Sequence, residues 1–177
     1  KNMVSDILLL MRSEMMVILI IFILLFLKLG SRELRNESII NMVNAMLVIM
    51  LALGFFVHDS GTLFGNMFRT DDLLRLEKNI LTLGTLIISL QSYGWISKHK
   101  HAMEFYLLML STLLGMFFML SSGNMLMFYL GLELSTIPLA AMVNFDLHKK
   151  QSSEAAFKMI VSSAFASGLL LFGISWM

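Results

Sequence analysis

Six apolar runs alternate with short charged segments along this chain of 177 residues. About 20 residues of α-helix, at 1.5 Å per residue, cross a hydrocarbon layer roughly 30 Å thick. The pattern therefore predicts an all-α fold, a polytopic transmembrane helix bundle with about six spans. The predicted spans are residues 15–27, 39–57, 80–96, 105–120, 124–144 and 155–176.

The segments between the runs carry most of the charge. Arg12 and Glu14 stand just before the first span, where we expect them to reach the membrane surface or to pair. The longest connection, residues 58–78, contains Gly61 and Gly65 followed by a charged cluster with interspersed leucines. Its pattern predicts a short amphipathic turn along the membrane interface.

Lys and Arg are distributed unevenly between the loops on the two sides of the predicted bundle. Seven of them follow the first, third and fifth spans, and five lie on the opposite side. Loops rich in Lys and Arg face the cytoplasm. This bias predicts that the N-terminus and the tight turn between the fourth and fifth spans are outside.

Composition narrows the class of protein further. Hydrophobic residues make up 58% of the chain, charged residues 14%, and the mean hydropathy is +0.81, which is too apolar for a soluble domain. The net charge of +1 gives no basic face for nucleic acid. The chain contains no cysteine, which excludes disulfides, thiolate metal sites and cysteine-ligated iron–sulfur clusters within it. Any redox chemistry must therefore lie in a partner.

Glu133 is the one ionisable residue of the fifth run, and it lies near the midpoint of that run. A charge at the bilayer centre costs at least about 2.5 kcal/mol, so this side chain must face a protein interior or a water-filled cavity. Pro138, the only proline, cannot donate to the carbonyl of Leu134 and should loosen the helix there. Ionisable residues at this depth are usually functional, although a neutral hydrogen bond inside a packed helix is the alternative.

Lys158 is the second candidate, five residues beyond Ser153 in the sixth run. It could reach back to the cytoplasmic surface, since it lies only roughly 7 Å into the helix. Small residues at intervals of four, Ser163 with Ser167 and Ala164 with Gly168, instead favour close approach of other helices and a buried lysine. Glu133 and Lys158 are thus predicted as proton-translocation residues in one chain of titratable groups and waters.

Other chemistry has little support in the sequence. His99 and His101 could form a metal site with His58, but the predicted topology places His58 on the opposite side of the membrane. Neither a GxGxxG nor a GxxxxGK phosphate loop occurs. No metal or cofactor site is therefore predicted in this chain.

Three motifs resemble the antiporter-like membrane subunits of respiratory complex I. They are EFYLLML at residues 104–110, YLGLELSTIPLAA at residues 129–141 and SSEAAFKMIVSSAFASGLLLFG at residues 152–173. Together they join a mid-span Glu-x-x-x-x-Pro to a following helix with an early lysine. A looser likeness, RTDDLLRLEKNIL, precedes the third span, so the resemblance covers roughly residues 66–173.

The resemblance implies a subunit of proton-pumping NADH:quinone oxidoreductase in the bacterial inner membrane. Glu133 would be the fifth-span glutamate that couples to neighbouring subunits, and Lys158 would stand at the start of the proton path. NADH, FMN, iron–sulfur clusters and quinone would be used by other subunits. The implied partners are the other membrane-arm subunits, the lipid bilayer and protons.

The resemblance also implies a division of the chain. Residues 1–103 would form the first three helices with an interfacial loop, and residues 104–177 the start of the antiporter-like module, truncated at its C-terminus. Two alternatives stay open: a subunit of a multi-subunit sodium/proton antiporter, and a structural membrane scaffold in which both charges only fix packing.

Overall fold

The computed structural model describes residues 3–30, 35–56, 60–146 and 149–176. Within these ranges the chain forms seven helices and a two-stranded antiparallel hairpin. The helices are α1 (Met3–Leu10), α2 (Arg12–Leu29), α3 (Asn36–Phe56), α4 (Asp72–Ile96), α5 (Ala102–Leu120), α6 (Met125–Val143) and α7 (Lys150–Ser175), and the strands are β1 (Gly61–Leu63) and β2 (Phe68–Thr70).

The predicted helix bundle is confirmed, but the expected span count is corrected. Four helices, α3, α5, α6 and α7, are long and apolar enough to cross a membrane by length and composition within the described ranges. The helix α2 carries three charged residues, Arg12, Glu14 and Lys28, within its 18 residues. The helix α4 is long enough, with 25 residues, but it includes a polar N-terminal portion.

The core lies between α2, α3 and α5, where apolar side chains repeat at helical spacing and interdigitate. Tyr106 and Phe117 are the largest fully buried side chains of α5, and Ile40 and Leu47 face them from α3. By contrast, α7 buries little of its surface in the described part of the chain and packs mainly on α6. The central helix α5 therefore positions α6 and, through it, α7.

Two glycines bring the backbones of α5 and α6 together. A Cβ at Gly115 would lie 2.4 Å from the backbone nitrogen of Ser135, and one at Gly131 would lie 2.5 Å from that of Met119. Only glycine fits such close backbone approach, as is usual between membrane helices. Gly131 and Ser135 flank Glu133 on α6. These two contacts with the main chain of α5 therefore fix the position of Glu133 along the bundle.

Residues 60–78, the described part of this connection, do not form a single short turn. Instead, β1 and β2 form a hairpin whose turn includes Gly65, at φ +64°, a conformation that glycine adopts without strain. The outer edge of β2 pairs with the turn between α5 and α6, since the Arg69 amide donates to the Ser121 carbonyl at 2.8 Å and the Gly123 amide donates to the Met67 carbonyl at 2.7 Å. These two bonds give partners to backbone groups at the edge of β2 and in the turn after α5.

The helix α4 begins at Asp72, eight residues before the predicted start of the third span at residue 80. Lys78 therefore lies on a helix and is buried, whereas the sequence placed it in an interfacial loop. This difference matters for the site, because it brings Lys78 against α2.

Candidate proton-translocation site

Glu133 lies in the middle of α6, as predicted. The Asn124 side chain caps this helix by accepting a hydrogen bond from the Met127 amide at 2.7 Å, and the helix continues unbroken through Pro138. The Ser135 hydroxyl donates to the Leu132 carbonyl at 2.8 Å. Glu133 itself is half-buried.

The carboxyl of Glu133 lines a groove of about 220 Å³ between α6 and α7. Thr136 contributes to the groove from α6, and Ser163 contributes from α7, while the rest of the wall is mainly apolar. Such a groove is large enough for several water molecules. Glu133 thus lies in a mainly apolar groove with hydroxyl groups as its polar neighbours.

The structure does not bring Lys158 into this groove wall. The Lys158 ammonium pairs with the Glu154 carboxylate one turn earlier on α7, at 2.6 Å, and the two side chains are 72% and 59% exposed. The stripe of small residues on α7 is only partly packed, since Ser167 is buried but a Cβ at Gly168 would meet no atom within 4 Å. The sequence left open whether Lys158 is buried or reaches the surface. In the described part of the chain its side chain is exposed.

A buried ion pair at the other end of the bundle was missed by sequence reasoning. The Lys78 ammonium lies 2.6 Å from Oε1 of Glu14, and these side chains are 3% and 0% exposed. The Ser121 hydroxyl donates to the same oxygen at 3.4 Å. The rings of Phe68 and Phe117 lie 5.3 and 6.0 Å from the ammonium, in cation–π range.

A chain of polar side chains crosses the core between α3, α4 and α5. The Ser89 hydroxyl donates to Oδ1 of Asn44 and lies 3.0 Å from the Tyr106 hydroxyl, which must then act as the donor to Ser89. Asn44 of α3 is thus bonded to α4, whereas Asn41, one turn earlier on α3, is exposed.

The histidines form no metal site among the residues that the structure describes. His101 lies 3.2 Å from the Glu104 carboxylate, which also pairs with Lys28 at 3.2 Å. The ring of His99 packs against Trp95 and Phe145 in an aromatic cluster. His58, the third candidate ligand, lies outside the described residues.

Comparison with known proteins assigns this chain to a family. Residues 122–177 match the family model described as "NADH:quinone oxidoreductase/Mrp antiporter, TM". The chain is 49% identical over 118 residues to the NADH-quinone oxidoreductase subunit N of Phocaeicola vulgatus, which covers 64% of this chain and 25% of that protein. It is 34% identical over 169 residues to the subunit N of Bartonella bacilliformis, which covers 95% of this chain and 35% of that protein.

The chain belongs to the antiporter-like membrane subunits of NADH-quinone oxidoreductase and is most like subunit N. It spans about a quarter to a third of the length of these curated relatives. The helices and these relatives make it an integral membrane protein of the bacterial inner membrane.

This chain shares its fold with a chain of a solved structure. A chain of the structure entitled "Respiratory complex I from Thermus thermophilus with bound Aureothin" superimposes with a TM-score of 0.76 over 91% of this chain and 35% of that one. At 22% identity, this match concerns the fold alone. The arrangement of α1 to α7 is thus one that a complex I membrane chain adopts.

Proposed function

We propose that this chain is part of a membrane-arm subunit of proton-pumping NADH:quinone oxidoreductase, in which Glu133 takes up and releases a proton during each cycle. The observation that carries the proposal is the position of Glu133, half-buried in mid-helix on the wall of the groove between α6 and α7. The family membership supplies the context for this acid.

The groove gives Glu133 a route for protons along α7. Thr136 and Ser163 line it with hydroxyl groups, which can donate to and accept from water. A protonated Glu133 is neutral and a deprotonated one is charged, so its state changes the field on every nearby charge in a medium of low dielectric constant. A charge shift in a partner subunit can therefore release the proton.

Lys158 has a different part in this proposal. Its exposed pair with Glu154 lies at the start of α7, next to the loop that ends α6. A charged pair at this end of the helix acts on Glu133 through its electric field rather than by direct contact. Residues 104–177 then form the beginning of the translocation module, and residues 1–103 its support.

The redox chemistry belongs to partner subunits in this proposal. Electrons would pass from NADH through FMN and iron–sulfur clusters to quinone in other subunits, and the membrane chain would respond to that chemistry through charge. Contacts with the other membrane-arm subunits and with lipid follow from the same assignment.

The test compares Glu133→Gln and Lys158→Met in the full-length subunit, within the assembled complex in native membrane vesicles. We expect NADH-driven proton uptake to fall about tenfold or more in Glu133→Gln, because amide cannot replace a titrating acid, and to fall less in Lys158→Met. Glu77→Gln and Lys150→Met are matched controls, since they remove the same charges elsewhere on the chain. Full pumping in both test variants would refute the proposal and leave the scaffold function.

A sodium/proton antiporter subunit is the second candidate, because the matching family model includes Mrp antiporters by its description. Sodium-dependent proton exchange in vesicles that lack the flavin and iron–sulfur subunits would favour it. Copurification of the full-length protein with those subunits favours NADH:quinone oxidoreductase.

A further inference from the structure

The ion pair of Glu14 and Lys78 is the most deeply buried charged group in the described part of the chain. It lies at the hairpin end of the bundle, where Glu14 on α2, Lys78 on α4 and Ser121 after α5 converge. Phe68 of the hairpin lies over the ammonium. Four separate segments thus enclose two charges that have no part in the function proposed for Glu133 and Lys158.

The carboxylate is only half satisfied. Oε1 of Glu14 receives the Lys78 ammonium and the Ser121 hydroxyl, whereas Oε2 is buried and makes no hydrogen bond to the described residues. A buried carboxylate oxygen without a donor is costly, and a structural ion pair normally satisfies both oxygens. The carboxylate thus keeps an acceptor oxygen beyond the one that is used in the ion pair.

A small cavity connects the pair to the surroundings of the bundle. Its volume is about 20 Å³, enough for one water molecule. Lys78 forms part of its wall, together with the polar side chains of Arg12, Ser13, Thr70 and Arg75. The cavity is partly open, so a proton can pass between the ammonium and water at this end of the bundle.

We infer that Glu14 and Lys78 form a second protonatable site, at which the chain exchanges protons with water at the hairpin end of the bundle. This inference rests on the proposed function of the chain. The carboxylate of Glu14 is the proton acceptor and the ammonium of Lys78 is the proton donor. Lys78 also lines a cavity large enough for one water molecule.

The proton balance of this site is simple. In the resting pair the carboxylate is charged and the ammonium holds three protons. Transfer of one proton from Nζ to Oε1, over 2.6 Å, gives a neutral acid and a neutral amine with no net change of charge. A proton from solution, relayed by water in the cavity, can then reprotonate the amine, so that the pair holds one proton more than at rest. Loss of the proton from Glu14 restores the starting state.

Two further charged side chains lie beside the site. Arg12 of α2 and Arg75 of α4 both line the cavity, and Arg75 also pairs with Asp72 at 2.5 Å. A charge change elsewhere in the protein can therefore act on the site through these neighbouring charges.

The test uses the complete complex in native membrane vesicles, with Glu14→Leu/Lys78→Met in the full-length subunit. Replacing a buried ion pair by apolar side chains of similar volume is often neutral or stabilising, so a purely structural pair should tolerate this change. We expect assembly to persist and the rate of NADH-driven proton uptake to fall about tenfold or more. Arg69→Gln/Asp71→Asn, which removes an exposed pair at the same end, should pump like the unaltered complex.

A second double variant, Glu14→Gln/Lys78→Gln, keeps hydrogen-bonding side chains but cannot titrate. Loss of pumping in an assembled complex with either double variant, with recovery in Glu14→Asp, supports the inference. Full pumping in an assembled double variant overturns it, and so does failure of both to assemble, because the pair is then structural. Glu133→Gln is measured in parallel, since its full pumping would refute the proposed function while the pair is judged on its own variants.

Discussion

At the scale of single residues, position within a run was informative for Glu133 and uninformative for Glu14 and Lys78. Glu133 is conspicuous because it interrupts a long apolar run. Glu14 stands beside Arg12 and Lys78 stands beside Glu77, so both resemble ordinary interfacial charges in the sequence. Their partnership depends on how α2 packs against α4, which no local pattern shows.

Ser89 tests the polar chain across the core. Ser89→Ala removes both hydrogen bonds and leaves Asn44 and Tyr106 without their partner, so we expect a loss of about 1–3 kcal/mol in the free energy of unfolding. Tyr106→Phe removes only one of the bonds and should cost about 1 kcal/mol or less. The measurement is denaturant-induced unfolding of the full-length subunit in detergent micelles.

Ser92→Ala is the matched control for Ser89. The Ser92 hydroxyl is exposed and donates to the Ile88 carbonyl of its own helix, so its loss should change stability by less than about 0.5 kcal/mol. Equal destabilisation by Ser89→Ala and Ser92→Ala would show that the interhelical chain contributes nothing of its own.

At the scale of elements, the helices were predictable because apolar runs of spanning length dominate the sequence. The hairpin was not, because its strands have only three residues each and gain stability by pairing with the turn after α5. The Gly65-Asn66 dipeptide between Leu63 and Phe68 was the available signal, since such pairs favour positive φ in tight turns.

The contact between α5 and α6 makes a second prediction. Gly115→Ala places a methyl group against the backbone of Ser135, and separating the helices should cost about 1–3 kcal/mol in stability. Proton uptake should fall as well, because Glu133 moves with this part of α6. Both quantities are measured in the full-length subunit, by unfolding in detergent and by pumping in vesicles.

Gly84→Ala provides the control within the same fold. A Cβ at Gly84 meets no atom within 4 Å, so this change should be neutral or should stabilise α4 by up to about 1 kcal/mol. If Gly115→Ala behaves like Gly84→Ala, the backbones of α5 and α6 are not held as closely as described.

At the scale of the whole molecule, the bias in Lys and Arg predicts that the hairpin end faces outward. Single cysteines in the full-length subunit, with any cysteine outside these 177 residues replaced by serine, make this measurable. Thr62→Cys on β1 and Lys100→Cys between α4 and α5 both replace exposed residues at opposite ends of the bundle. An impermeant thiol reagent should label Thr62→Cys in intact cells and Lys100→Cys only after permeabilisation. The reverse pattern would invert the predicted orientation.

At this scale the sequence predicted a helix bundle with an acid, Glu133, in the middle of one helix. It could not predict which face of each helix is packed against other helices. The face of α7 that carries Lys158 is a clear example, because the stripe of small residues indicated close packing and Gly168 meets no neighbour in the described chain. Small residues allow close approach without requiring it. Packing of one helix depends on every helix around it, which a local spacing cannot encode.

The two glycines between α5 and α6 have a consequence for how such chains can vary. Since main chain rests directly on main chain there, the height of Glu133 does not depend on the size of the outward-facing side chains of α6, such as Leu126 and Leu130. Those residues are free to adapt to lipids of different thickness or shape. The acid keeps its depth while the surface around it evolves.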